Sequence, residues 1–168
     1  MGDIAASIRN AVQYLTEHPD EARYTDSWAR ARHTGDLRVE VEGPNGEQLL
    51  TDMPGGVGGR GESPSPGWLF RAALASCVAT TVAMEAAREG LGVTSLEVEV
   101  DSESDDRGIL GMDESVPAGP LSTRIRIRPT AEAADAGRLR EVADRGAGRC
   151  PVCDATKRAV DVSVEVET

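Results

Sequence analysis

Ala72-Ala73-Leu74-Ala75-Ser76-Cys77 opens the most apolar run of the chain, which continues to Met84 and is flanked by Arg71 and Glu85. Pro66 suits the first turn of a helix, and Gly90 or Gly92 suits its C-terminal cap. The stretch therefore predicts one long helix from Pro66 to about Glu89. Between Leu69 and Ala79 nearly every side is apolar or small, the mark of a helix buried all round. Cys77 is expected deep within it. A second cysteine opens the tetrad Cys150-Pro151-Val152-Cys153, where proline again marks a first helical position. With only three cysteines in 168 residues, thiols carried by two well-formed helices invite a redox reading.

The length fits one domain with a real core. Apolar residues make up 39% of the chain but aromatic ones only 3%, so the core is expected from Ala, Val, Leu and Ile. A net charge of −11 repels the phosphate backbone and argues against nucleic-acid partners. The basic residues are Arg, with Lys157 the single lysine. Met1-Gly2-Asp3-Ile4-Ala5 shows no basic region followed by a sustained apolar stretch, so no signal peptide is expected. The 13-residue run from Ala72 to Met84 is too short to span a bilayer. An odd number of cysteines without an export signal fits reduced thiols, and a soluble cytoplasmic protein is the expectation.

Outward from the long helix, the pattern alternates between strand and helix periods. Ile4, Ile8, Val12 and Leu15 predict a short amphipathic helix, expected as an N-terminal extension over residues 1–23, with the main domain over 24–168. Trp28 to Glu42 reads as strand, Pro44-Asn45-Gly46 as a turn, and Glu47 to Met53 as the return strand. Pro54 to Gly61 is loop. Val93 to Asp101 and Leu121 to Arg128 alternate as strands. Thr130 is a candidate N-cap for a helix to about Gly146. Cys150 to about Ala159 predicts a shorter helix, and Val160 to Glu167 a closing strand. The order α-ββ-α-ββ-αα-β is that of an α+β fold.

Cys150 is a candidate N-cap, where unpaired amide groups would favour negative charge on its sulfur. Its plain alternative is a cap that happens to be cysteine. Cys77 lies about 16 Å along its helix from Pro66, beyond useful reach of that helix end. Burial raises a thiol's pKa, so a reactive Cys77 needs a basic partner from another element. Free cysteine is also common as inert core packing. For the Cys-x-x-Cys, a thioredoxin-like domain would need far more chain after Cys153. A zinc site would need more soft ligands than Cys77, His18 and His33 add. Neither a metal nor a cofactor is expected.

Two blocks in order nevertheless resemble the OsmC/Ohr family, the osmotically induced and organic-hydroperoxide-resistance proteins. The first is Ser63-Pro64-Ser65-Pro66-Gly67-Trp68-Leu69-Phe70 running into Ala72-Ala73-Leu74-Ala75-Ser76-Cys77. The second is Cys150-Pro151-Val152-Cys153-Asp154-Ala155-Thr156 before a Val-rich terminal segment. The likeness covers roughly Tyr24 to Thr168 and includes Asp106-Arg107-Gly108. It implies an OsmC-like fold in which antiparallel sheets wrap long central helices in an intertwined homodimer. It also implies a thiol-dependent peroxidase of the oxidative stress response. Organic hydroperoxides would be its substrates and an external dithiol its reductant. On this pattern Cys77 is the peroxidatic thiol and Cys150 the resolving one. Two positions depart from it. The glutamate that usually follows the loop proline is Gly67, with Glu62 the nearest carboxylate. The arginine expected after the first hairpin turn falls at His33-Thr34-Gly35-Asp36, flanked by Arg32 and Arg38, with Arg60 in the later loop. Each of these three is otherwise an ordinary solvated charge. Cys153 stands where serine is usual, either as a further resolving thiol or as packing. The missing glutamate favours a second reading, a divergent OsmC-like domain that binds a small apolar ligand or a protein partner without peroxidase turnover.

Overall fold

The computed structural model describes residues 3–132 and 134–168. The first two residues of the expected extension lie outside them, as does Ala133 of the helix expected from Thr130. The chain divides into two compact units, one formed by Arg9–Ala72 and the other by Ala73–Thr168 with the residues up to Ile8.

Within the first unit, β1 (Arg30–Gly35), β2 (Arg38–Glu42) and β3 (Gln48–Thr51) form an antiparallel meander in that order. The stretch Trp28 to Glu42, expected as strand throughout, is broken by a hairpin. Gly35 at φ 123° and Asp36 at φ 51° turn the chain, and a register shift falls between His33 and Gly35. Alternation on both sides of the turn hides it from a periodicity reading, because a tight hairpin keeps the period of two. Pro44-Asn45-Gly46 forms the second turn as expected, with Gly46 at φ 87° and Val41 paired to Leu49. A one-turn 3-10 helix, Gly55–Val57, interrupts the following loop.

Helix α1 spans Ile4–Glu17, and the Asp3 carboxylate caps it by accepting the Ala6 N–H at 2.9 Å. Helix α2 spans Pro66–Arg88 and starts on proline as read. It stops where Gly90 takes φ 69° and the Leu91 N–H bonds back to the Ala86 carbonyl at 2.9 Å, a left-handed glycine terminus. Burial is not all round. Only Leu74, Val78, Val82, Glu85 and Ala86 are buried, a single stripe at helical spacing, while Ala73, Ser76, Thr80 and Met84 are exposed. At 23 residues α2 is also, by length and composition, long enough to cross a membrane, so the expected shortness holds for the apolar run and not for the helix formed. Its buried face carries Glu85, which hydrocarbon would penalise.

In the second unit, β4 (Val93–Glu103) and β5 (Ser122–Ala131) pair antiparallel over their whole length. One face pairs Val98 with Ile127 and Val100 with Ile125. The other sets Glu97, Glu99 and Asp101 opposite Arg128, Arg126 and Arg124. Helix α3 (Asp106–Ile109) is a single turn between them, capped by Asp105. Thr130 is not an N-cap. The ladder continues to Ala131, Thr130 Oγ1 lies 3.1 Å from Thr94 Oγ1, and α4 (Ala136–Gly148) is capped by Asp135, which accepts the Arg138 N–H at 2.8 Å. Helix α4 lies directly on α2. A Cβ on Gly146 would sit 2.5 Å from Val82 Cα, so glycine is what allows this approach. Leu74, Val78, Val82 and Val142 are buried, each contributing about 2 kcal/mol. Helix α5 (Pro151–Lys157) follows at once. Beyond it the expected strand does not form: residues 160–167 make no ladder among the described residues, and Val162, Val164 and Val166 are all exposed. Alternation prepares a strand face, but a ladder forms only where the segment pairs with another strand, and this segment pairs with none among the described residues.

Candidate active site

Cys77 and Cys150 meet. They are 73 positions apart in sequence, yet the Cys150 side chain and the Val152 backbone N–H both come close enough to the Cys77 thiol to bias its protonation. The meeting follows from local structure. α4 seats on α2 through Gly146, then Arg149 closes α4 with its N–H on the Gly146 carbonyl at 3.1 Å. The chain turns so that Cys150, in extended conformation, caps α5 as the sequence suggests, its sulfur accepting the Cys153 N–H at 3.3 Å. Pro151 has no N–H to leave unpaired there.

Burial differs among the three thiols. Cys150 is 1% and Cys153 4% exposed, whereas Cys77 is half-buried rather than deep in the core. All three are free thiols. The Cys77 thiol is nevertheless pushed up from its ordinary range, first by burial, with Cys150 adding to the rise and the Val152 N–H opposing it. Among the described residues, no group of three or more His, Cys, Asp or Glu is placed to hold a metal ion.

A clamp that composition concealed secures this corner. Glu85, 5% exposed, receives Arg145 Nε at 3.0 Å and is bonded by Arg149, with Arg88 at 3.6 Å. Glu89 receives Arg145 at 2.6 Å and is bonded by Arg138. The residue just before Cys150 is thus tied to the helix that carries Cys77. The signal was present: Glu85 continues the Leu74, Val78, Val82 stripe, so periodicity alone places a carboxylate on the buried side.

The other residues singled out in the sequence lie in the meander unit, each engaged there. Arg32 pairs with Glu42 at 2.8 Å, Arg60 with Asp36 at 2.8 Å, and Arg38 with Glu62 at 3.6 Å. The loop bearing Arg60 and Glu62 is held by Asp52, 2% exposed, which accepts backbone N–H groups of Met53 at 2.7 Å and of Arg60 and Glu62 at 3.1 Å each. Burial pushes the Asp52 carboxyl up, but the N–H donors of Glu62, Met53, Arg60 and Gly61 outweigh it and leave the group below its usual range. At Gly67 a Cβ would meet nothing closer than 3.9 Å, so the backbone there does not itself require glycine.

A model of the OsmC-like protein family matches residues 59–165. No curated protein matches the sequence. Among solved structures, an OsmC-like protein from Mycoplasma pneumoniae superposes with a TM-score of 0.69 at 14% identity, over 82% of this chain and 91% of that one. An organic hydroperoxide resistance protein OsmC from Legionella pneumophila gives 0.61 at 18% identity, over 83% and 94%. The organic hydroperoxide resistance protein OhrB of Bacillus subtilis gives 0.52 at 19%, over 85% and 98%. Likeness at such identities carries the fold, the mixture of helices and antiparallel sheets described above. Since the family match spans well over half of the residues, the chain belongs to the OsmC-like family.

Proposed function

We propose that this protein is a thiol-dependent peroxidase that reduces organic hydroperoxides to alcohols, with Cys77 as peroxidatic and Cys150 as resolving thiol, in defence against oxidative stress. One observation carries the reading: the proximity of the Cys77 and Cys150 side chains. The Cys77 thiolate attacks the distal peroxide oxygen, the O–O bond breaks, and its electron pair leaves with the alkoxide, which takes a proton to become the alcohol. Cys77 is left as a sulfenic acid. The Cys150 sulfur then attacks Cys77, water departs, and a disulfide forms. An external dithiol returns both thiols by exchange. These steps call on no bound cofactor. Activation needs a cation near Cys77, for which Arg32, Arg38 and Arg60 are the candidates, with Glu62 available to orient one in place of the residue missing at Gly67. The active form on this reading is a cytoplasmic homodimer, acting on neither nucleic acid nor membrane. The same family likeness in the solved structures supports a role in peroxide detoxification.

The raised Cys77 thiol and Gly67 favour a second reading, a divergent member that binds a small apolar ligand or a partner without turnover. Anaerobic thiol counting after one equivalent of cumene hydroperoxide separates the two. Rapid loss of two thiols, abolished by Cys77→Ser, is expected of the peroxidase. No loss over hours rejects it. Loss that persists in Cys77→Ser would pass the peroxidatic role to Cys150 or Cys153.

A further inference from the structure

Cys153 is a buried nucleophile that the proposed reaction leaves unused. Its N–H is bonded to the Cys150 sulfur at 3.3 Å, and the Cys150 side chain also lies beside Cys77. Cys150 therefore stands between two thiols within one corner of the fold. The N–H and Cβ of a residue are bonded to the same Cα, so a sulfur that accepts the Cys153 N–H is close to its Cβ as well. Two residues between the cysteines leave their Cα atoms within the span a disulfide bridges. Burial ranks the three: Cys150 at 1% and Cys153 at 4% are sealed, while Cys77 is the accessible one.

We propose that Cys153 is a third redox residue, which takes Cys150 from the Cys77–Cys150 disulfide and stores the oxidation as a buried Cys150–Cys153 disulfide. The inference rests on the peroxidase reading for its physiological oxidant, but the exchange itself does not. In it the Cys153 thiolate attacks the Cys150 sulfur, a new S–S bond forms, and the bond from Cys150 to Cys77 breaks. The electron pair passes to the Cys77 sulfur, which takes the proton that Cys153 gave up. Nothing is oxidised or reduced overall. Access then distinguishes the two disulfides. A dithiol reaches the Cys77–Cys150 bond at the Cys77 sulfur, whereas both sulfurs of Cys150–Cys153 are shielded. The second form is reduced more slowly and leaves Cys77 free but without its resolving partner.

Trypsin separates the products, since cleavage after Arg71, Arg88, Arg149 and Lys157 puts Cys77 in one peptide and both Cys150 and Cys153 in another. The full chain is oxidised in parallel with one equivalent of cumene hydroperoxide and of diamide. Samples are quenched with acid and alkylator over time and mapped by mass spectrometry without reduction. The expected course is a cross-link between the two peptides that decays while the Cys150-to-Lys157 peptide gains an internal disulfide and Cys77 becomes alkylatable. In Cys153→Ser the cross-link persists and dithiothreitol reduces it faster than the wild-type end product. Cys77→Ser with diamide should form the internal disulfide directly. An alkylated Cys153 at every time with both oxidants, and no internal disulfide in Cys77→Ser, would overturn the proposal. With diamide but not with the hydroperoxide, an internal disulfide that grows as the cross-link decays upholds it and rejects the peroxidase instead.

Discussion

The reactivity of Cys77 is a contest between its surroundings and its task. A peroxidatic thiol must be a thiolate at neutral pH, yet burial and the neighbouring Cys150 both favour the protonated form, and the Val152 N–H offsets them only in part. The sign follows directly. With its pKa above the free-thiol value of about 8.5, the thiolate fraction falls below that of an exposed cysteine, and reaction rate climbs with pH until that raised value is passed. The second-order rate of Cys77 modification by iodoacetamide, followed by peptide mapping of the reduced protein, should rise about tenfold per pH unit between pH 6 and 8. A rate already flat by pH 7 would mean that an arginine does reach the thiol and outweighs burial. Asp52 shows the opposite balance: though it is more deeply buried than Cys77, its carboxyl is held below its usual range because backbone donors surround it. Such residue-scale outcomes were only half legible in the sequence. Cap position follows from Cys150 preceding Pro151, but the N–H close to the Cys77 sulfur belongs to Val152, whose side chain says nothing about it.

Elements were legible where a local signal has no rival. Pro66 and Gly90 bracket α2 because each has a backbone property no other residue supplies. Reading failed where two local signals compete: Thr130 could cap a helix or extend a ladder, and pairing with β4 decided for the ladder, leaving the cap to Asp135. It failed again at Gly35-Asp36, where strand periodicity ran across a turn. The packing of α4 on α2 hangs on Gly146, which no periodicity marks. A methyl there would press on Val82 backbone rather than on the end of a flexible side chain, so the helices must part. Gly146→Ala should cost about 1–3 kcal/mol despite the better helix propensity of alanine. Urea unfolding checks this through a lower midpoint at unchanged slope. A midpoint equal to or above wild type would show that the helices are free to separate.

At the scale of the whole molecule, the sequence is more apolar than one chain can use. Composition predicts α2 buried all round, but only one stripe is buried, and Ala73, Ser76, Thr80 and Met84 are exposed. The terminal segment was read as a strand, but its alternate valines Val162, Val164 and Val166 remain more than four-fifths exposed. Both misreadings have one physical cause: periodicity reports that a face is built for burial, not whether the covering surface belongs to the same chain. Exposed apolar faces such as that of the tail valines mark contact sites, and the proposed homodimer would supply the cover. Light scattering at micromolar concentration should then give twice the 17.7 kDa chain mass. Val162→Asp with Val164→Asp places two charges on the uncovered face of the tail, which costs nothing in a chain that leaves it in water. In the dimer the same charges would be desolvated without partners. The double variant should therefore shift toward monomer while keeping the far-ultraviolet dichroism of its helices. A wild-type mass of one chain would reject the homodimer, and a dimer indifferent to both charges would exclude the tail from its interface.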